Sequence, residues 1–517
     1  MAQPRAGQNY AGGRATAVYH GAPVSTPAGQ DLRTRAARGT VVNAGFSFAV
    51  SLIGLIRGVA VASFLTASDY GLWGLITAVF ITLLWLAAVG LDDKYIQQDH
   101  PDQEAAFQVA FTLQTLLCLA FMLLVIIAVP VFALAYGTSE IVLPGLALAL
   151  AAPAIALQTP LWVFWRRMDF FRQRVLQIWD PVVSLIVTLA LAVAGMNLWA
   201  LVIGTLAGSW SAAIVAVRAS PYRLRFRYER GALREYASFS WPLFAGSISV
   251  VLVTQLPLLV ASRAEGLAAV GAITLAGNIS VFANRVDEIV TQALYPAVCA
   301  VKDRADLLFE SFSKSNRLAL LWAAPCGAAV ALFAADFVDR VIGERWEFAV
   351  VLIQVFGLTA AFNQIGFNWT AYYRALGNTR PIAVANAVLV LAVAGIALPL
   401  LVERGLDGFA VGMAAATVLF VAVRLVYLAR LFPTIRIAAH VGRALAPTAP
   451  AVAAVLALRL ATGDGRPVEL VLGELALFAA MAVLGTLILE RSLLREMLGY
   501  LRGRRTSNQS EPATRAV

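Results

Sequence analysis

The stretch SLIGLIRGVAVASF, residues 51–64, sets one permanent cation, Arg57, inside an otherwise apolar helical run. A guanidinium near mid-bilayer is unfavourable by about 2.5–3.5 kcal/mol on insertion scales and by about 10–17 kcal/mol on an isolated helix. Arg57 is therefore expected to face the helix bundle, toward a carboxylate, a wet cavity or an anionic ligand. Guanidinium stays charged and can give two parallel hydrogen bonds to an oxyanion. A second such arginine, Arg285, stands in NISVFANRVDEIVTQ, residues 278–292. There Asn278, Arg285, Glu288 and Gln292 follow at helical spacings of seven, three and four, which predicts one polar stripe down an apolar helix. Glu288 is the carboxylate of that stripe and a candidate for binding a coupling proton or cation; Asp287 lies off it. Structural roles compete with these. Arg57 can pair with a buried carboxylate or reach for the near interface, and Arg285 with Glu288 can form an internal i,i+3 pair. Asn43 and Gln255 are lone amides in apolar runs, and such amides bridge helices more often than they bind ligands.

Two further arginines mark an internal repeat. FWRRMDFFR, residues 164–172, and YYRALGNTR, residues 372–380, coincide at an offset of 208, so that Arg166 falls on Arg374 and Arg172 on Arg380. YGLWGLI from Tyr70 and VGAITLA from Val270 occupy matching places at an offset of 200. Six spans repeated after six imply two lobes in the same orientation, related by an axis along the membrane normal, with a path between them. Arg166 and Arg374 are mainly topology anchors and secondarily candidates for meeting an anionic group at the cytoplasmic entrance. Asp180 and Pro181 read as the N-cap and first-turn proline of a span rather than as an ion site.

The elements that must carry these residues are membrane helices. Hydrophobic residues make up 60% of the 517-residue chain and charged residues 14%, the balance of a polytopic membrane protein. About fourteen runs approach the length needed to cross a bilayer as helix. They are 40–65, 71–91, 104–131, 141–158, 179–195, 198–218, 240–262, 267–298, 315–335, 347–371, 379–402, 405–430, 443–462 and 468–490. The fold class expected is an all-α integral membrane protein: an N-terminal six-helix lobe over 40–218, a basic linker over 219–239, a C-terminal six-helix lobe over 240–430 and an extra helix pair over 431–490. Residues 1–39 and 491–517 are polar and are expected to be disordered tails.

Of the 40 Lys and Arg residues, roughly 32 fall in the tails and even-numbered loops, roughly six in the odd-numbered loops, and Arg57 and Arg285 inside spans. Both termini are therefore expected in the cytoplasm. The same asymmetry accounts for the cluster from Arg218 to Arg234 and for the pI near 9.8, so no nucleic-acid partner is implied. Three cysteines without CxxC spacing and three scattered histidines predict no disulfide framework and no metal site. None of the three lysines stands in a phosphate-binding GxxxxGK[S/T] loop, and no GxSxG elbow occurs. With short loops, no cofactor motif and no room for an external catalytic domain, the chain reads as a transporter rather than an enzyme.

Four stretches then carry a resemblance. FLTASDYGLWGL (64–75), GLDDKYIQQ (90–98), RRMDFFRQ followed by GMNLWALVIG (166–204) and ALYPAVCAVKDRADLL (293–308) are similar to the corresponding segments of a known family. It is the polysaccharide-transporter branch of the multidrug/oligosaccharidyl-lipid/polysaccharide exporter superfamily. Many of its members have an Ala-Arg pair where this chain has Ala62-Ser63, so the role of that arginine does not carry over to Ser63. The resemblance implies a flippase of the inner membrane, moving a polyprenyl-pyrophosphate-linked oligosaccharide for lipopolysaccharide or exopolysaccharide synthesis by alternating access. It also implies membrane lipids, a polysaccharide polymerase and export machinery as partners. In that setting Arg57 and Arg285 would contact the pyrophosphate, while Asn278, Gln292, Gln255 and Asn43 would offer hydrogen bonds to the cargo. A multidrug or toxin antiporter of the same superfamily is the alternative within transport. Its carboxylates would have to come from Asp92 and Asp93, which sit at an interface. A membrane polymerase or ligase is the alternative among enzymes.

Overall fold

The computed structural model describes residues 45–87, 91–97, 100–167, 169–227, 248–284, 298, 303–433, 437–463, 466–491, 493 and 495. Every regular element among them is helical. Eight helices are long and apolar enough to cross a membrane, and five shorter apolar helices accompany them. The chain is thus a multi-pass membrane protein, as its hydropathy requires.

The first half runs through α1 (Gly45–Ala62), α2 (Ala67–Ala87), α3 (Leu91–Gln97), α4 (Gln103–Tyr136), α5 (Val142–Leu148), α6 (Ala151–Leu157), α7 (Leu161–Arg166), α8 (Phe170–Gln177), α9 (Trp179–Val193) and α10 (Asn197–Arg218). The stretch expected as a single fourth span, 141–158, is divided into α5 and α6, and α7 follows beyond its expected end. Pro144 and Pro153 stand in the first turns of α5 and α6, where a missing backbone donor is tolerated and a preceding helix is not continued. The fifth span begins earlier than expected, because α8 leads into α9 as one apolar stretch from Phe170 to Val193. Helix α4 has the clearest ends: the Asp102 carboxylate accepts from the amides of Glu104 and Ala105, and Gly137 closes the helix at φ 79°.

The second half contains α11 (Ile248–Ala264), α12 (Leu267–Val281), α13 (Ala305–Phe337), α14 (Val350–Asn363), α15 (Trp369–Ala375), α16 (Arg380–Ala392), α17 (Leu398–Leu431), α18 (Ile437–Leu445), α19 (Ala449–Thr462) and α20 (Val468–Leu489). A five-residue π segment, Val393–Ala397, joins α16 to α17. Gly405, at φ 63° and ψ −149°, then folds α17 back on itself, a conformation that suits a residue without a side chain. That turn lies where the sequence places the boundary between its eleventh and twelfth spans.

The two halves meet most closely where α2 crosses α12. A β-carbon on Gly71 would overlap the Leu267 carbonyl, one on Gly271 would overlap the Ala67 carbonyl, and one on Gly74 would overlap the Thr274 hydroxyl. All of these partners are related by the same offset of 200, so each contact is reciprocated by its repeat counterpart. Only glycine permits backbones to come this close. Around the crossing, the main apolar core includes Val61, Leu65, Tyr70, Leu75, Val270, Leu275 and Trp346.

Charged groups within helices are more numerous than the two arginines expected. Arg424, inside α17 and buried, donates to the carbonyls of Asn363 (2.5 Å) and Ile365 (3.0 Å) and to Asn363 Oδ1 (2.9 Å), capping the end of α14. Arg459 of α19 joins Asp336 and Glu474, also buried. The count of two intramembrane arginines is corrected accordingly. Proximity to a span end hid these side chains among the charges that mark topology.

Candidate functional site

A cavity of about 620 Å³ lies between the halves. It extends from Gly58 and Tyr70 near the α2–α12 crossing to Phe46, Arg174 and Phe282 at the opposite end. Its wall on α1 follows from helical spacing. Ser47, Ser51, Gly54 and Gly58 recur every three or four residues and face the cavity, while Phe48, Leu52 and Ile56 form an exposed apolar face.

Arg57 is part of that wall and half-buried. It donates to the hydroxyl of Ser184, a fully enclosed side chain of α9, and Asp180 acts on it electrostatically one helical turn earlier on α9. The α9–α10 packing that supports this arrangement depends on Gly208 and Gly204, where β-carbons would collide with Asp180 and Ser184 and with Thr188. A neutral hydroxyl thus orients the guanidinium at the cavity wall.

Arg174, which the sequence reading left among the topology charges, also lines the cavity. It stacks over the Phe46 ring at 5.6 Å and bonds Gln177 Oε1 at 2.9 Å. A usable signal existed: Arg174, Gln177, Pro181 and Ser184 follow at three, four and three residues, one face of the α8–α9 stretch. Starting the span at 179 concealed it. Tyr70 and Trp73 are among the further lining groups not expected as site residues, because an aromatic pair in an apolar helix reads as core.

Asn278 is where the sequence placed it, on the cavity wall, and its Nδ2 donates to the Tyr70 hydroxyl at 3.2 Å across the two halves. The helical stripe expected to continue from it is interrupted, since α12 gives way to a 3-10 turn at Phe282–Asn284. Arg285, Glu288, Gln292 and Asn43 lie outside the described residues.

Two candidate residues hold helices together and do not line the cavity. Gln255 does not line the cavity: its amide donates to the Ala78 carbonyl (2.9 Å) and to the Thr82 hydroxyl, and its oxygen accepts from the Tyr136 hydroxyl. It bridges α11 to α2 and α4, and no polar atom of it is left over for cargo. Arg166 does not line the cavity either: it donates to the carbonyls of Tyr95 (3.0 Å) and Ile96 (2.9 Å) and lies over the Tyr95 ring, tying α7 to α3. Arg374 is exposed near the end of α15 and is not among the lining groups. No cluster of three metal-ligating side chains occurs among the described residues.

The chain resembles several known proteins. Over 142 residues it is 27% identical to an uncharacterized membrane protein in the cps region of Klebsiella pneumoniae, covering 27% of this chain and 29% of the relative. Over 146 residues it is 25% identical to the lipopolysaccharide biosynthesis protein WzxC of Escherichia coli strain K12, covering 28% and 30%. The chain thus spans less than a third of the length of these curated relatives. Among solved structures, the lipid II flippase MurJ in an inward closed conformation superposes with a TM-score of 0.64 at 13% identity, over 87% of this chain and 98% of that one. An inward-facing multidrug resistance MATE family transporter gives 0.62 at 14%, over 76% and 98%. At these identities the likeness is one of fold. A family described as polysaccharide biosynthesis protein matches residues 60–351, more than half of the sequence, and the chain belongs to that family.

Proposed function

We propose that the protein flips a polyprenyl-pyrophosphate-linked oligosaccharide across the inner membrane by alternating access between two six-helix lobes that together with a C-terminal pair make fourteen crossings, with both termini in the cytoplasm. The observation that carries this reading is the cavity between the halves, whose charged lining among the described residues is two arginines, Arg57 and Arg174, and no carboxylate. Such a lining suits an anionic head group, since each guanidinium can meet phosphate oxygens in a site with little water. It does not suit a cationic drug, which would call for carboxylates. The reciprocal contacts at an offset of 200 support a duplicated, two-lobed architecture. The membership in a polysaccharide biosynthesis family supports a glycan cargo, and the MurJ-like fold supports a lipid-linked one.

In this mechanism the lipid head enters the cavity, its phosphates replace water at Arg57 and Arg174, and its sugars lie against Tyr70, Trp73 and Asn278. The lobes then reorient. Glu288 remains the proposed carboxylate for a coupling ion, and Arg285 a proposed third cation. Deleting the gene and resolving lipid-linked repeat units by leaflet tests the reading. Repeat units held on the cytoplasmic side are expected, whereas unpolymerised units on the outer side would point to a polymerase or ligase.

A further inference from the structure

The cavity ends at one face, the one carrying the turns after α1 and α4 and before α2 and α12. The Lys and Arg distribution predicts that face to be the outer one. Two N-terminal-half helices, α1 and α4, finish there. A helix end leaves its last carbonyls without intrahelical partners, and they carry the negative pole of the helix dipole. At both ends those carbonyls are met by donors from the other half of the molecule.

At the end of α4, Arg263 of α11 donates from Nε to the Ala135 carbonyl at 2.8 Å and from Nη2 to the Leu134 carbonyl. Gly137, the capping glycine, makes this possible: a β-carbon there would stand 2.8 Å from the guanidinium carbon. At the end of α1, Arg345 donates from Nη2 to the Ser63 carbonyl, with the Ala62 carbonyl at 3.4 Å, and Trp346 donates from Nε1 to the Ala62 carbonyl at 3.0 Å. Trp346 is fully buried and meets the Tyr70 ring edge-on at 5.6 Å. Tyr70 lines the cavity beside Gly58, so a single aromatic contact separates the cargo site from this cap.

We infer that Arg263 and the Arg345–Trp346 pair are the latch of the outer gate, holding it shut by capping two helix ends of the opposite lobe. The caps and the α2–α12 crossing span the same seam, so opening the cavity at this face has to break both. Once broken, the carbonyls and the guanidinium groups are each solvated by water. The latch is therefore a bias that is readily released, not a fixed tie. The inference rests on the alternating-access reading but not on the nature of the cargo.

The test uses the full chain in intact cells, with Cys118, Cys299 and Cys326 replaced by serine and Thr77→Cys, a cavity-lining position, as reporter. A membrane-impermeant maleimide is applied from outside. Arg263→Ala combined with Arg345→Ala is expected to raise the labelling rate about tenfold, a shift of about 1.4 kcal/mol in the closed-to-open balance. Arg340→Ala, on the same face but bonded within its own half, is expected to leave it unchanged. Both latch arginines are exposed, so truncating them leaves the core intact; Arg263→Gln with Arg345→Gln, which keeps one amide donor at each place, should fall between parent and double alanine. Parental labelling in a double variant of normal abundance, or an equal rise in Arg340→Ala, overturns the inference. The reporter follows access rather than export, so that failure would leave the cargo reading standing, which the Arg57 variants test separately.

Discussion

The C-terminal pair α19–α20 is fastened to α13 by charges withdrawn from water, and removing one of them gives a calculable effect. Glu474 is fully buried and accepts from Arg459 Nε at 2.9 Å and Arg466 Nη1 at 3.0 Å. Asp336, 6% exposed, meets Arg466 at 3.0 Å, Arg459 at 3.2 Å and Arg340 at 3.9 Å. Arg459 also donates to the Leu332 carbonyl at 2.8 Å and lies over the Phe333 ring. Breaking a buried ion pair from one side is destabilising by about 3–5 kcal/mol. Arg466 still serves both carboxylates, and interhelical hydrogen bonds in membranes contribute only about 0.6–2 kcal/mol each, so Arg459→Ala is expected to lower stability by about 2–3 kcal/mol. Replacing Arg459 and Glu474 together by methionine should recover most of that, because no uncompensated charge is then left inside. The assay is equilibrium unfolding of purified protein in mixed SDS micelles, followed by the reactivity of buried Cys118. If Arg459→Ala stays within about 0.5 kcal/mol of the parent, the network is hydrated and this reasoning fails.

Further expectations concern the cavity and the seam. Arg57→Ala should abolish glycan export while membrane insertion and abundance are retained, and Arg57→Lys should restore only part of it, since an ammonium cannot give the paired bonds of a guanidinium; both are read by surface polysaccharide and by immunoblot of membranes. Gly71→Val should trap the protein with the α2–α12 crossing unmade, because its side chain would overlap the Leu267 carbonyl, and increased outside labelling at Thr77→Cys with export lost is the expected result. Gln255→Leu strands the Tyr136 hydroxyl and Thr82 in a buried interhelical site. A loss of about 1–3 kcal/mol is expected in micelle unfolding, with cargo affinity unchanged.

Helix-forming runs were legible because hydropathy alone decides what crosses a bilayer, and the repeat offset of 200 reappears in space at Gly71 and Gly271. Local chemistry that interrupts a helix was less legible. One expected span is divided into α5 and α6 near Pro144 and Pro153, and the next begins at Phe170 rather than at 179. Arg57 could be singled out because it stands deep in its run. Arg424 and Arg459 could not, since near a span end the same residue type serves topology, helix capping or a site, and only the neighbours decide; Arg174 carries a helical-face signal that emerges once the span is taken to begin at Phe170. Gln255 shows the more frequent role expected of a lone amide: Tyr136 and Thr82, far away in the chain, occupy its polar atoms.

The central claim is that the paired guanidinium groups of the cavity recognise a diphosphate on a lipid. Binding of a short-chain polyprenyl pyrophosphate to purified protein, against the same prenyl chain ending in an alcohol, measures this without reference to any glycan. Charge-assisted hydrogen bonds contribute about 1.5–3 kcal/mol each, so the pyrophosphate should bind at least about tenfold tighter than the alcohol, and that advantage should vanish in Arg57→Ala combined with Arg174→Ala. Equal affinities for the two lipids, or a preference that survives loss of both arginines, would contradict the account.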